Sequence, residues 1–234
     1  MMFRTPIFAR TAFMAVLLCL SLLARAQPAG MLYDPEPPVD SGYARLIFTG
    51  QEGPLDIAVD GKTRIRHLAS NEFSDYLVLG TGKRTLSVQA AGKPATRFQT
   101  TIEVAAGRAV TLAVTNLGQN QKPIAFEDKL NANKLKAQLA IYHLGAQAGP
   151  LDILTADGKS QVSSGLTFGR ATYIQVNPIS IELVAVHSGE KTPQSRTTLT
   201  MTQGGAYSVL ITSGAAGPLV LQTLQNKIER YTGN

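Results

Sequence analysis

The sequence predicts an all-β protein built of two tandem antiparallel β-sandwich domains, Ig-like or small-barrel-like, related by duplication. Three observations predict it: an ordered internal repeat, short apolar runs with period-two spacing, and turn residues between them at intervals of about 8–12 residues. The repeat is read first. Gly53-Pro54-Leu55-Asp56-Ile57 returns unchanged as Gly149-Pro150-Leu151-Asp152-Ile153. Asp60-Gly61-Lys62 matches Asp157-Gly158-Lys159 after one inserted residue. Tyr76 then falls on Tyr173, Gly92 on Gly189, Thr100-Thr101 on Thr197-Thr198 and Gly107 on Gly204. One shared pentapeptide arises by chance; an ordered series at one spacing marks a tandem duplication.

Residues 1–26 read as an export signal. Arg4 and Arg10 precede a short apolar run, 12–23, and Ala24-Arg25-Ala26 supplies small residues before a cut between Ala26 and Gln27. The run is shorter than the roughly 20 apolar residues that span a bilayer, so no transmembrane segment is expected after the signal is removed. Cys19 is the only cysteine and lies inside the signal, which excludes disulfides, thiolate metal sites and cysteine nucleophiles from the mature chain. The formal charge of +6 includes Arg4, Arg10 and Arg25, so the mature chain is nearer +3 and has no Lys/Arg run of the kind that binds nucleic acid.

Residues 27–42 form a proline-rich segment in which Asp34-Pro35-Glu36-Pro37-Pro38 is stiff and does not pair as a central strand. The first β domain is placed at 43–128. Its strands are read at 43–49, 55–59, 76–79, 84–89, 97–104 and 109–115, with Pro123-Ile124-Ala125-Phe126 in the closing strand. Asp60-Gly61 favours a tight type I′ turn, because both central residues need positive φ. Residues 129–136 (KLNANKLK) are a polar, basic linker, short enough to keep the domains close. The second domain repeats the pattern over 137–224. Residues 225–234 are polar and are read as a fraying C-terminal tail.

Few residues offer chemistry. His67, His143 and His187 have no metal-ligand spacing, and no cofactor is expected. Ser163-Ser164-Gly165 lacks the strained nucleophile turn of a serine hydrolase and is read as a loop. Glu127-Asp128 reads as a solvated strand end rather than an acid–base pair. Asp60 and Asp157 are explained by turn chemistry, and Asp56 and Asp152, present in both copies, by the fold. The chain has no tryptophan, the usual platform for a sugar ring; Tyr33 is the one aromatic outside the predicted strands and ahead of the repeat that reads as exposed. No catalytic or metal-binding residue is therefore assigned. The binding surface is unassigned apart from a speculative linker patch, Lys129, Lys134 and Lys136, suited to an acidic partner.

The mature start, Leu32-Tyr33-Asp34-Pro35, with Pro37-Pro38 and Ser41-Gly42-Tyr43-Ala44-Arg45-Leu46, resembles the family of the alginate biosynthesis protein AlgF. The resemblance continues through Pro123-Ile124-Ala125-Phe126-Glu127, Asn133-Lys134-Leu135-Lys136-Ala137, Ala156-Asp157-Gly158-Lys159 and Val176-Asn177-Pro178. It implies a periplasmic, non-catalytic accessory of exopolysaccharide O-acetylation. Its implied partners are a membrane-bound O-acyltransferase and periplasmic acetyltransferases, with the polysaccharide itself as a further candidate. The alternatives carried forward are an accessory of cellulose acetylation, an acetyl carrier or transferase using a Ser, Thr or Tyr hydroxyl, and a plain carbohydrate-binding module.

Overall fold

Strands form where apolar or alternating runs are bounded by Gly, Pro, Asn or Asp. The computed structural model describes residues 36–115, 117, 122–213 and 217–231. The first copy supplies β1 (Ser41–Phe48), β2 (Leu55–Val59), β3 (Lys62–Leu68), β4 (Glu72–Phe73), β5 (Leu77–Gly80), β6 (Gly82–Ala90), β7 (Thr96–Val104), β8 (Ala109–Val114) and β9 (Ile124–Asp128). The second supplies β10 (Ala137–His143), β11 (Leu151–Thr155), β12 (Gln161–Leu166), β13 (Arg170–Val176), β14 (Ile179–His187), β15 (Pro193–Met201), β16 (Ala206–Ser213) and β17 (Leu219–Gln225). The described residues hold no helix. None of them forms a helix long and apolar enough to cross a membrane.

Each copy is a sandwich of two separate sheets. In the first, β3-β2-β6-β7 faces β4-β1-β8-β9, with β5 also paired to β1. The second copy repeats the same orders as β12-β11-β14-β15 and β13-β10-β16-β17. The shared order is the structural imprint of the duplication. One pairing in each copy departs from the antiparallel expectation, because β1 and β8, like β10 and β16, run parallel. The chain leaves this sheet after its first strand and returns to it from the opposite sheet. Apolar periodicity carries no strand direction, so the sequence pattern is blind to this.

Period two explains why β1 and β10 lie at the centre. On β1, Ala44, Leu46 and Phe48 enter the core of the first sandwich, while Ile47 faces the other way. On β10, Leu139 and Ile141 enter the second core, while Ala140 and Tyr142 face the other way. Those outward faces meet in a third core, where Ile47, Ala113 and Phe126 pack against Ala140, Tyr142 and Leu210. The sheets therefore stack in four layers, and residues Pro37–Tyr231 form one compact unit. Residues 129–136 hold no strand.

Several expectations are corrected. β3 and β4 were not among the expected strands, and Ser163 and Ser164 lie on β12 rather than in a loop. β3 was hidden by its charged sequence (KTRIRHL), which suits an edge strand, where Lys and Arg discourage pairing with other chains. The fraying expected from residue 225 onward is not seen in the described part. Gln225 belongs to β17, and the chain beyond it lies against the first copy. Tyr76 donates its N–H to Lys227 O at 2.9 Å, and Glu229 donates its N–H to Tyr76 O at 2.8 Å. Polarity alone misled here, because main-chain bonding needs no apolar side chain.

The repeated aspartates do repeated structural work. Asp56 Oδ1 accepts the His67 N–H at 2.9 Å and its Oδ2 accepts the Gly92 N–H at 3.0 Å. Asp152 Oδ1 accepts the Gly165 N–H at 2.7 Å and the Ser188 hydroxyl at 2.7 Å. His67 (φ 55°) and Gly165 (φ 58°) are matched left-handed residues at the ends of β3 and β12. These main-chain donors hold both carboxyls below the ordinary aspartate range. Asp60-Gly61 makes the expected two-residue turn, with φ of 47° and 80°.

Candidate functional site

Where the two copies meet, positions equivalent by register have diverged into a polar cluster. Arg45 lies opposite Thr111 on β8, as Ala140 lies opposite Ser208 on β16. Asp128 lies opposite Ala109, and Asn226 bonds across to Ala206, the equivalent residue. Tyr173 lies opposite Ala140, and Tyr76 takes the matching place beside Leu77 on the edge of β1. One copy thus carries a cation and an anion where the other has Ala140 and Asn226.

Arg45 is fully buried, and four of its five guanidinium N–H groups are used. Nε donates to Thr111 Oγ1 (2.8 Å) and Nη1 to Asn226 Oδ1 (2.8 Å). Nη2 donates to Tyr142 Oη (3.0 Å) and Ser208 Oγ (2.8 Å). The guanidinium also lies 4.5 Å from the Phe73 ring centre and 4.4 Å from that of Tyr76, within cation–π range of both. Asp128 accepts from four hydroxyls: Tyr76 (2.8 Å), Tyr173 (3.0 Å), Thr111 and Tyr142. Thr111 and Tyr142 each accept from Arg45 and donate to Asp128, so the opposite charges are joined through two hydroxyls.

Burial pushes the Tyr142 hydroxyl up to about 12, and raises Tyr76 and Tyr173 further. These phenols are held as donors and do not ionise to nucleophiles near neutral pH. Ser208 and Thr111 are fully buried. The cluster joins the two copies through bonds from Arg45 to Asn226, Tyr142 and Ser208 and from Tyr142 to Asp128.

It opens to solvent at a cleft of about 590 Å³ between the copies. Gly107 and Arg108 form one wall, Asp128, Lys129 and Leu130 another, and Gln138, Tyr173 and Gln175 lie across from them. The Lys129 ammonium lies 6.0 Å from the Tyr173 ring centre. Arg108 Nη1 pairs with Glu127 Oε1 at 2.9 Å, an exposed pair of small energetic weight. A larger groove, about 930 Å³, runs between β7 and β9 over Ile102, Val110 and Leu112. In the second copy the corresponding strands, β15 and β17, lie against each other.

Of the proposed linker lysines, Lys129 lines the cleft, and Lys134 and Lys136 do not. Lys134 is exposed; the Lys136 carbonyl accepts from the Asn131 side chain (2.9 Å) and the Gly204 N–H (3.1 Å). Ala26, Gln27 and Tyr33 lie outside the described residues. Asp128 corrects the reading of Glu127-Asp128 as a solvated strand end: Glu127 is exposed, but Asp128 is buried. Sequence reasoning missed Arg45 and Tyr142 as members of the cluster. The available signal was an arginine in the middle of the apolar strand YARLIF.

His143 is fully buried, with Nε2–H donating to Gly149 O (2.8 Å) and Nδ1 accepting the Gly145 N–H (3.2 Å). Burial holds its pKa below the ordinary value of 6.5. The neutral form is therefore favoured by folding. Its contribution is complete above pH 6.5 and is lost as pH falls through the unfolded value towards the depressed folded one. Urea unfolding at pH 7.5 and pH 5 should show this loss in the wild type and a smaller one in His143→Gln. No group of three or more His, Cys, Asp or Glu among the described residues is placed to hold a metal.

A family described as a domain of unknown function (DUF4397) matches residues 42–154, from the first copy into β11 of the second. The alginate biosynthesis protein AlgF of Pseudomonas putida is 27% identical over 216 residues, covering 92% of this chain and 93% of that protein. The chain is similar to AlgF along nearly its whole length. The AlgF of Pseudomonas fluorescens is 24% identical over 197 residues, covering 84% of this chain and 83% of that protein. The solved C-terminal domain of AlgF from P. aeruginosa is 22% identical and spans 40% of this chain and all of the domain, with a TM-score of 0.34. The likeness to the two curated AlgF proteins runs through both copies, so the junction between them falls inside the matched length.

Proposed function

We propose that the chain is a non-catalytic periplasmic accessory protein required for O-acetylation of a secreted, alginate-like exopolysaccharide. It works beside a membrane O-acyltransferase and periplasmic acetyltransferases, which supply the reactive groups. The observation that carries this reading is likeness to AlgF proteins, named for alginate biosynthesis, over 92% of the chain. The junction chemistry supports the non-catalytic part. Its tyrosines have raised pKa values, and its serine and threonine hydroxyls are buried and already bonded.

The carrier alternative makes a different chemical demand, a hydroxyl that takes up an acetyl group. Purified protein incubated with an acetyl-ester donor, such as p-nitrophenyl acetate, should release acetate at the buffer rate. Intact-mass spectrometry should show no acetyl adduct. An adduct lost on substitution of one Ser, Thr or Tyr would overturn the non-catalytic reading.

A further inference from the structure

We infer that the cleft beside β13 is a strand-addition site for an extended, acidic segment of a partner protein. The inference rests on the accessory-protein reading and gives that reading a surface.

The argument starts from the two equivalent edges of the junction. Val78 lies opposite Tyr43 on β1, and Gln175 lies opposite Gln138 on β10, so the β5 edge and the β13 edge correspond. The β5 edge is closed by the chain's own C-terminal segment. Ile228 forms a parallel bridge to Tyr76, flanked by the Tyr76–Lys227 and Glu229–Tyr76 main-chain bonds. Glu229 then accepts the Val78 N–H at 2.7 Å and pairs with Arg64. The seated segment is thus extended, and its acidic side chain anchors it.

On the other half, the chain leaving β9 takes a different course. Lys129 and Leu130 correspond to Lys227 and Ile228, but the chain must turn here to enter β10. Asn131 donates to Lys136 O (2.9 Å) and Gly205 O (3.2 Å) as it does so. β13 is therefore left at the edge of its sheet, and the gap between it and Lys129-Leu130 is the cleft. A strand edge presents main-chain N–H and C=O groups at fixed spacing, which an added strand satisfies.

Charge selects the occupant. Arg108 and Lys129 flank the gap, Arg108 also pairing with the exposed Glu127 at its rim. The Asp128 carboxylate, the one acid in the lining, is occupied by four hydroxyl donors. An acidic peptide meets both the cations and the strand edge. A uronate polymer meets the cations but has no peptide N–H and C=O groups to pair with β13.

Fluorescence anisotropy with the purified full exported chain tests this, using a labelled peptide of alternating Glu and Val as the probe. It should bind, and a Lys-Val counterpart should not. Arg108→Glu combined with Lys129→Glu should weaken binding by about tenfold or more. Lys93→Glu, in the β6–β7 turn, should leave it unchanged, and thermal melts should confirm that both proteins are folded. N-methylation of alternate peptide nitrogens should abolish binding, because strand addition needs those N–H groups. The proposal is overturned by no binding to the wild type, by equal binding of the methylated peptide, or by indifference to the charge reversals. It is equally overturned if an oligouronate binds through Arg108 and Lys129 while the peptide does not. If the peptide fails but polymer acetylation still requires the protein, only this site is lost and the accessory reading stands.

Discussion

Arg45→Ala is expected to destabilise the protein by about 3–5 kcal/mol, the range for removing one partner from a buried charged network. For a domain of this size that corresponds to a fall in Tm on the order of 10 °C. The cause is specific. The substitution strips donors from Thr111, Tyr142, Ser208 and Asn226 and removes the cation from the Phe73 and Tyr76 rings. It also leaves Asp128 buried without the cation that balances it through Thr111 and Tyr142. Asp128→Asn in the same chain should recover part of the loss, so the double variant should be less destabilised than the two single effects added together. Denaturant unfolding of the four proteins measures this coupling. Additive effects, or an Arg45→Ala cost below about 1 kcal/mol, would show that the network does not join the copies.

Ending the chain at Gln225 should cost about 3–6 kcal/mol, although the residues removed are mostly polar. The loss includes the two main-chain bonds to Tyr76, the Glu229 carboxylate on Val78 N–H, and Asn226 as acceptor for Arg45 and Ser208. Each bond contributes about 1 kcal/mol, and stranding a buried donor of a charged group costs more. Tyr76, only 5% exposed, would also lose its cover on the open edge. Glu229→Ala keeps the chain length and should cost about 1–2 kcal/mol. A truncated protein as stable as the intact one would mean that this segment closes nothing.

These two effects mark the limit of what could be read from the residues. The duplication, the strand-rich fold and the Asp60-Gly61 turn were legible because each depends on local chemistry: a repeated pattern, an alternation, a dipeptide that accepts positive φ. The four-layer stack was not. It requires β1 and β10 to be buried on both faces, and Ile47 and Tyr142 look like ordinary core residues until their direction is known. Arg45 and Asp128 are separated by 83 positions in the chain and meet only through hydroxyls from two other strands. No spacing rule detects such a pair. The role of residues 226–229 was hidden for a related reason, since their contribution comes largely from main-chain groups that every residue carries.

The duplication also shapes the functional account. Features common to both copies, such as the Asp56 and Asp152 clamps, serve the fold. Features that differ, such as Arg45 against Ala140 and Asp128 against Asn226, join the copies.

The most direct test of the central proposal is the acetyl content of the secreted polymer, measured per sugar residue, in a strain lacking the gene and in the same strain supplied with the wild-type chain. The account predicts that acetylation falls to background without the protein, that polymer is still secreted, and that the wild-type chain restores acetylation. Unchanged acetylation in the strain lacking the gene would contradict it.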